Sequence, residues 1–374
     1  MACIVSHYSV HLSTATTWRG GENQILLLAL GLRARGHKVL VLAPEKSPLL
    51  ERCKESGIDA QALNICCELD IIGVFRLIRI LRAQRPGILH LHDSHAVLPG
   101  QLAARVMSRN GFRTVAHRRT FFALNSRWKY QGRIDRIIAI SHAVRERMLS
   151  AGIPPSVIRV VYSGLDFQAP LAAQSPEVND FRKVNHLPKD TFLICHAAAL
   201  SAEKRQQDII EALHQSNQLL KTRHLPPVHL ALAGIGDQEE PLRALVRSRG
   251  LEEHVHFLGF IRDLRPLWAS SSLAIFASEA EGLCTALIEA QGAGLPAIVT
   301  RAGGMVEVVE HESNGVIVEV GDIPAMTAAI MRLHQNPALL QRMQVAARAR
   351  VCEKFSADAM VEGVLSVYRE MGAE

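Results

Sequence analysis

The feature that most constrains this 374-residue chain is a rhythm in which short apolar runs alternate with amphipathic stretches, and the pattern occurs twice. The first half holds ACIVSHYS, HKVLVLA, GILHLHD, RTVAHR, RIIAIS and IRVVYS, with a helix predicted from about Glu22 to Arg35. Apolar runs bounded by turn residues and separated by helical stretches read as strands of a parallel sheet. The rhythm restarts with TFLICHAAA, a helix from about Glu203 to Leu220, VHLALAG, HVHFLG, SLAIFAS, PAIVT and GVIVEV. Between the two lies QAPLAAQSPEVND, after Asp166, which has neither helical nor strand periodicity. The expected division is therefore a doubly wound domain over 1–168, a linker over 169–190 and a second doubly wound domain over 191–356. The last stretch, from about Pro337 to Met371, reads as helix broken near Phe355 and Ser356, and its end, 357–374, is expected to cross back onto the first domain. A chain of this length exceeds what one core usually spans, which agrees with two. Two such sheets facing one another place the carboxyl ends of their strands around a shared cleft, so functional residues are sought in the loops there.

Composition removes several classes. With 48% hydrophobic and 21% charged residues the chain is globular rather than disordered. No apolar run reaches the roughly 18–20 residues of a membrane span, and no basic patch precedes an apolar stretch at the amino terminus, so a cytoplasmic, unprocessed protein is expected. The seven cysteines, from Cys3 to Cys352, form no C-x-x-C pair. Free thiols and the absence of a zinc site follow as expectations. Between Arg105 and Arg147 eleven basic residues, Arg109 and Arg127 among them, stand against only Asp135 and Glu146. One face of the first half should be positive and attractive to a phosphorylated acceptor or an anionic membrane surface. Aromatic residues are scarce at 5% and no recognition motif accompanies the charge, which argues against nucleic acid.

The segment ASEAEGLCTALIEA, Ala277 to Ala290, follows the run SLAIF and enters a helix that Gly294 and Pro296 end. Unpaired amides of Leu283, Cys284 and Thr285 at a helix start, aided by the helix dipole, suit a diphosphate. If the whole stretch is helical, Glu281 and Glu289 stand about 80° apart in azimuth and two turns apart in height. Carboxylates accept hydrogen bonds only, so the pair fits two sets of hydroxyl donors on one elongated ligand.

Together with AQGAGLPAIVT and Gly303-Gly304-x-x-Glu307, the Glu281-x7-Glu289 spacing resembles the signature of the GT4 family of retaining glycosyltransferases. The resemblance implies a GT-B fold, two Rossmann-like α/β domains facing a central cleft, and transfer of a sugar from a nucleoside-diphosphate sugar with retention. It implies no cofactor and no metal. It assigns Glu281 to the donor sugar, Glu289 to the ribose, Gly282, Leu283, Cys284 and Thr285 to the phosphates, and Gly303, Gly304 and Glu307 to the border of the sugar pocket. Lys204, in ALSAEKRQQ, matches a lysine on the distal phosphate, and His117 matches a histidine at the transferred sugar. Gly20-Gly21 corresponds to a loop beside the donor phosphates and the acceptor, and Phe260 and Ile261 to main-chain contacts with the base. The GIG of residues 234–236 resembles the nucleotide-side loop, and Ser141, Gly164 and Asp166 fall in cleft-facing loops. Most relatives carry an arginine where this chain has Ala199; Arg205 or Arg301 is expected to replace it, unless Lys204 and the helix start suffice.

His90, His92 and His95 suggest a metal site, but a structural role is preferred. Arg118 and Arg119 are expected to hold the acceptor. That acceptor is read as a lipid-linked or phosphorylated glycan of lipopolysaccharide core or another envelope polysaccharide, reached at the inner face of the cytoplasmic membrane. A sugar-nucleotide epimerase, a glycan phosphorylase and a non-catalytic nucleotide-sugar-binding protein remain as alternatives.

Overall fold

The computed structural model describes residues 7–107, 112–121, 127–130, 132–167, 176–188 and 191–372. Cys3, Arg109, residues 122–126 of the basic segment and 169–175, with 189–190, of the expected linker lie outside the described residues. The chain divides into two units, Met1–Asp166 with Phe355–Glu374, and Phe167–Lys354.

Unit 1 contains β1 (Tyr8–Leu12), α1 (Gly20–Ala34), β2 (Lys38–Ala43), α2 (Pro48–Glu55), β3 (Asp59–Ala62), α3 (Ile71–Gln84), β4 (Ile88–Leu91), α4 (Ser94–Met107), β5 (Arg113–Arg118), β6 (Arg136–Ala139), α5 (His142–Ser150) and β7 (Ile158–Val160). Its strands pair in parallel in the order β3-β2-β1-β4-β5-β6-β7. Strands such as β2 and β4 are buried nearly throughout because helices cover both faces, which is why they read as unbroken apolar runs. β3, Asp-Ala-Gln-Ala, is mostly exposed and sits at the sheet edge, ordered by pairing with β2. The order reverses between β1 and β4, so the loops that follow these two strands diverge at that point.

Unit 2 contains α6 (Pro176–Val184), β8 (Leu193–Ala197), α7 (Gln206–Thr222), β9 (His229–Ala233), α8 (Glu239–Ser248), β10 (Val255–Gly259), α9 (Arg265–Ser270), β11 (Leu273–Phe276), α10 (Thr285–Gly292), β12 (Ala297–Thr300), α11 (Met305–Val308), β13 (Gly315–Val318), α12 (Ile323–Gln335) and α13 (Pro337–Lys354). The order β10-β9-β8-β11-β12-β13, again all parallel, reverses between β8 and β11. Both units are Rossmann-like.

The last helix, α14 (Ala357–Glu370), belongs to unit 1. Its Met360, Val361, Val364, Leu365, Val367 and Tyr368 join Ile25, Leu28, Ala29 and Leu32 of α1 in one core. A Cβ on Gly31 of α1 would lie 2.4 Å from the Val361 side chain, so a glycine there permits the close packing of these helices. The Leu165 amide donates to the Phe355 carbonyl (2.8 Å) and the Ala357 amide to the Leu165 carbonyl (2.9 Å), which fixes the chain's return. Ser356 accepts from the Ala359 amide at 3.2 Å and so starts α14 as a separate helix.

Candidate functional site

In unit 2 the loops after β8 and β11 leave the sheet on either side of its switch point, where open α/β sheets bind ligands. Each loop supplies one partner of an ion pair. The Lys204 ammonium donates to the Glu281 carboxylate at 2.5 Å, and the Ser278 hydroxyl donates to the same oxygen at 3.0 Å. A backbone bond from the Glu279 amide to the Glu203 carbonyl, 3.0 Å, ties the loops together. Glu281 is not on the helix: Cys284 is left-handed (φ +63°), and α10 starts only at Thr285. The azimuthal relation expected for an all-helical stretch therefore does not hold. Gly282, Leu283 and Cys284 form a bend before the helix, and only Thr285 stands in its first turn.

Glycines set how closely the neighbouring loops approach. Gly303 has φ +50°, and a Cβ there would stand 1.9 Å from the Glu281 carbonyl oxygen. Next to it, a Cβ on Gly304 would meet the Gly282 carbonyl oxygen at 2.3 Å. The Gly304 amide donates to the Glu281 carbonyl at 3.1 Å, so this turn holds the Glu281 loop directly. Glu307 follows in α11, half-buried. On the other side of β8, Gly234 at φ +147° lies against the Ala198 carbonyl, and its amide donates to Gly259. These loops enclose a cavity of about 310 Å³ lined by Ala198, Ala199, Gly234, Ile235, Phe260 and Ile261.

Glu289 lies on α10, and burial pushes its carboxyl up to about 7, against the pull of a hydrogen bond from Trp268. Both arginines expected to stand in for Ala199 are engaged in ion pairs. Arg205 is held by Asp208 at 2.7 Å and Arg301 by Glu319 at 2.7 Å. Ala199 itself lines the cavity, and its carbonyl accepts from the Gln206 side chain at 2.8 Å.

Unit 1 carries a second constellation at its own switch point. His11 of β1 is in register with His90 of β4, and His92 and His117 follow on adjacent strand ends, all buried. Arginine can only donate, so Arg119, whose Nη2 is 3.5 Å from His92 Nδ1 and 3.4 Å from His117 Nδ1, fixes the tautomers. His92 Nε2–H then donates to His11 Nδ1 (2.8 Å) and His11 Nε2–H to the Ser9 hydroxyl (2.9 Å). Ser9 meets the Tyr368 hydroxyl. Tyr368 donates to His90 Nδ1 (2.7 Å), and His90 Nε2–H donates to His117 Nδ1 (3.2 Å). The circuit closes with the His117 proton on Nε2, a buried nitrogen with no partner among the described residues, as are Nε and Nη1 of Arg119.

Burial holds all four rings neutral: His11 falls to about 3, and His90, His92 and His117 lie well below their usual range. Arg119, lowered by burial to about 10, keeps its charge at neutral pH. The side-chain nitrogens of His11, His90 and His92 lie within 4.8 Å of one another. Their ring nitrogens are engaged in the circuit and Arg119 adds a positive charge beside them, so the arrangement fits a structural network better than a cation site. His95, grouped with them from the sequence, is instead exposed, 3.5 Å from Glu68.

The expectation of one open positive face is also revised. Lys129 pairs with Glu68 and Arg136 with Glu370, acids from outside the basic stretch, and Arg113 pairs with Asp135 within it, so part of its charge is neutralised. Arg118 is buried in β5, and the Arg119 guanidinium lies among the histidines rather than in solvent. Gly20 and Gly21 open α1, with the Arg119 side chain 3.7 Å from where a Cβ on Gly21 would be. The loops after β1 and β4 are joined by Asp93, which accepts from the Thr14 amide and hydroxyl at 2.7 Å each. His11, Asp93, Ser278 and Tyr368 were not singled out from the sequence. The available signal was polar residues at period two, Ser9 with His11 and His90 with His92, inside otherwise apolar strands.

Two family models match the chain: Glycosyltransferase Family 4 over residues 18–169 and Glycosyl transferases group 1 over residues 177–350. Among characterised relatives, N-acetyl-alpha-D-glucosaminyl L-malate synthase of Bacillus anthracis is 24% identical over 81% of this chain and 79% of its own length. UDP-Gal:alpha-D-GlcNAc-diphosphoundecaprenol alpha-1,3-galactosyltransferase of Escherichia coli is 23% identical over 85% and 88%. The crystal structure of Anabaena HepE in complex with UDP superposes with a TM-score of 0.81 at 20% identity, over 97% of this chain and 100% of that one.

Proposed function

This chain belongs to the family 4 glycosyltransferases, of GT-B fold, and on that premise we propose that it moves a sugar from a nucleoside-diphosphate sugar to a cell-envelope glycan with retention. The observation that carries the reading is the Lys204–Glu281 pair at the switch point of unit 2, clamped by the Gly303-Gly304 turn. In this reading the donor diphosphate takes over the Lys204 ammonium and lies against Gly282 to Thr285 at the start of α10, where amides and helix dipole favour negative charge. Glu281, released from Lys204, accepts from hydroxyls of the transferred sugar. Glu289 accepts from the ribose, and the base occupies the cavity between Ala198 and Phe260. Glu307 borders the sugar. No metal or other cofactor takes part.

An acceptor hydroxyl attacks the anomeric carbon on the face the diphosphate leaves. The new C–O bond forms as the C–O bond to phosphate breaks, and a departing phosphate oxygen takes the acceptor's proton. Lys204 stabilises the charge that develops on that phosphate. His117, with its proton on Nε2, donates to a sugar or acceptor oxygen and does not serve as a base. Arg119, through Nε and Nη1, holds an anionic group of the acceptor near Gly20 and Gly21; Arg118, buried in β5, supports that strand end. The acceptor is a lipid-linked or phosphorylated envelope glycan, lipopolysaccharide core included. The relative that acts on a diphosphoundecaprenol-linked sugar supports this choice.

A second reading draws on Ala199 together with the engaged side chains of Arg205 and Arg301, which leave the phosphate site one cation short: a nucleotide-sugar-binding protein without turnover. The test is a thermal-shift panel of sugar nucleotides followed by assay of nucleoside-diphosphate release. Release that depends on a glycan acceptor, with an anomeric proton coupling in the product that matches the donor's, supports a retaining transferase. Binding with no release across lipid-linked and phosphorylated acceptors favours the second reading, and release without any acceptor points to hydrolysis or epimerisation.

A further inference from the structure

The start of α3 exposes what a folded helix ordinarily hides. Leu69, Ile71, Ile72 and Phe75 are between 66% and 73% exposed. Trp128, 56% exposed, is brought to the same corner because its neighbour Lys129 contacts Glu68. The inner face of the helix is already filled, since Val74, Leu77, Ile78 and Leu81 are buried. The outer apolar residues are therefore surplus to the core. Apolar side chains of this size, clustered rather than scattered on a surface, mark an interaction site.

The charge beside them indicates the kind of partner. Arg76, Arg79 and Arg82 continue the exposed side of α3, and Arg85 follows at its end, also exposed. Asp70 is the only acidic residue from 69 to 85, and its carboxylate is occupied in accepting from the Gly73 amide at 2.8 Å and the Cys66 amide at 3.0 Å. Glu68 is taken by Lys129. The face is thus an apolar tip followed by four arginines, with Glu45 the acid that lines a cavity beside Arg76 and Arg79, and its net positive charge favours an anionic partner over a second copy.

We propose that this face of α3 docks the protein on an anionic lipid bilayer. Leu69, Ile71, Ile72, Phe75 and Trp128 enter the boundary between headgroups and acyl chains, and the four arginines lie on lipid phosphates. The docking surface stands on these side chains alone and does not depend on the donor or acceptor assignments. Apart from Trp128, it lies outside the stretch 105–147 that the sequence pointed to, where ion pairs take up part of the charge.

The test is co-sedimentation of the full chain with vesicles of phosphatidylcholine, with and without phosphatidylglycerol. The wild-type chain should bind only the anionic vesicles, and less as salt rises. Ile72→Ser with Phe75→Ser, and separately Arg76→Glu with Arg79→Glu, should each cut binding roughly tenfold or more, since each basic residue near such a surface contributes roughly fivefold in affinity and each large apolar side chain withdrawn from water about tenfold or more. All these side chains are exposed, so thermal unfolding and the shift produced by a sugar nucleotide should be unchanged, which separates failure here from failure of the donor site. Equal sedimentation of wild type and variants overturns the proposal, as does no binding to anionic vesicles. A dimer that the Ile72/Phe75 variant dissociates without lipid would assign the face to a second copy and overturn it as well.

Discussion

At Glu289 a single buried carboxyl links the donor site to pH. Burial raises it from a usual 4.5 to about 7, so between those values the folded chain binds more proton than the unfolded one. This group therefore lowers stability as pH rises through that window. Ribose hydroxyls donate, which favours the carboxylate, so donor binding should release a proton. A sugar nucleotide, whose own phosphates do not titrate there, should bind about tenfold tighter at pH 8 than at pH 6. Calorimetry in two buffers of different ionisation enthalpy would count the proton, and Glu289→Gln should flatten the profile. A slope that survives the substitution removes Glu289 from the ribose. Lys204 should behave differently, because its role is played as charge develops on the leaving phosphate. Lys204→Ala is expected to lower kcat by about 10² to 10³. The urea midpoint should move little, as a partly exposed side chain is lost and Ser278 still holds Glu281. A Lys204→Ala enzyme with wild-type kcat would end the phosphate assignment.

Backbone conformation decides the next scale. Gly303→Ala would push a Cβ against the Glu281 carbonyl, a main-chain atom that cannot move without taking the Lys204 contact with it. Gly36, at φ +81° with nothing within 4 Å, provides the control for left-handed strain alone. Gly36→Ala should cost about 1 kcal/mol, whereas Gly303→Ala should cost about 3 kcal/mol or more in denaturant unfolding and weaken donor binding besides. Equal costs would show that the turn does not clamp the loop. On α14, Tyr368→Phe would leave His90 Nδ1 buried without its donor, at about 1–3 kcal/mol, and should loosen His117 two links away, visible in its imidazole nitrogen shifts. The elements that positioned these residues were unevenly legible. Strands covered by helices announced themselves as apolar runs, but β3, with Asp-Ala-Gln-Ala at an edge, has no such pattern and owes its form to the open side of β2. The start of α10 was placed too early because a left-handed Cys284 has no sequence signature. Lys204 and Glu281, 77 positions apart, could be joined only through the family resemblance, whereas the histidine circuit was written in period-two polar positions that apolar scanning passes over.

Across the whole molecule the separation of the cores has an energetic consequence. One buried cluster runs from Ile194 to Met343, entirely within unit 2; another joins α1, β2 and β5 to α14 within unit 1. Six side chains of α14 are buried, and at about 1.5–3 kcal/mol each their loss approaches the roughly 5–15 kcal/mol that stabilises an ordinary domain, even allowing that such sums are upper bounds. A chain ending at Ser356 should therefore lose the folded state of unit 1 and keep that of unit 2. Scanning calorimetry of the full chain should resolve two transitions. Donor at about 100 times its Kd should stabilise the unit 2 transition by about 2.7 kcal/mol, and truncation should remove the other. The distribution of polar contacts supports this, because Lys204, Glu281, Glu289 and the cavity between Ala198 and Phe260 lie in unit 2, while the circuit from Ser9 to Tyr368 lies in unit 1. A single transition, moved alike by donor and by truncation, would instead mean that the two cores unfold as one cooperative block, and the residue-scale effects of Tyr368 and Gly303 would then have to appear in the same transition.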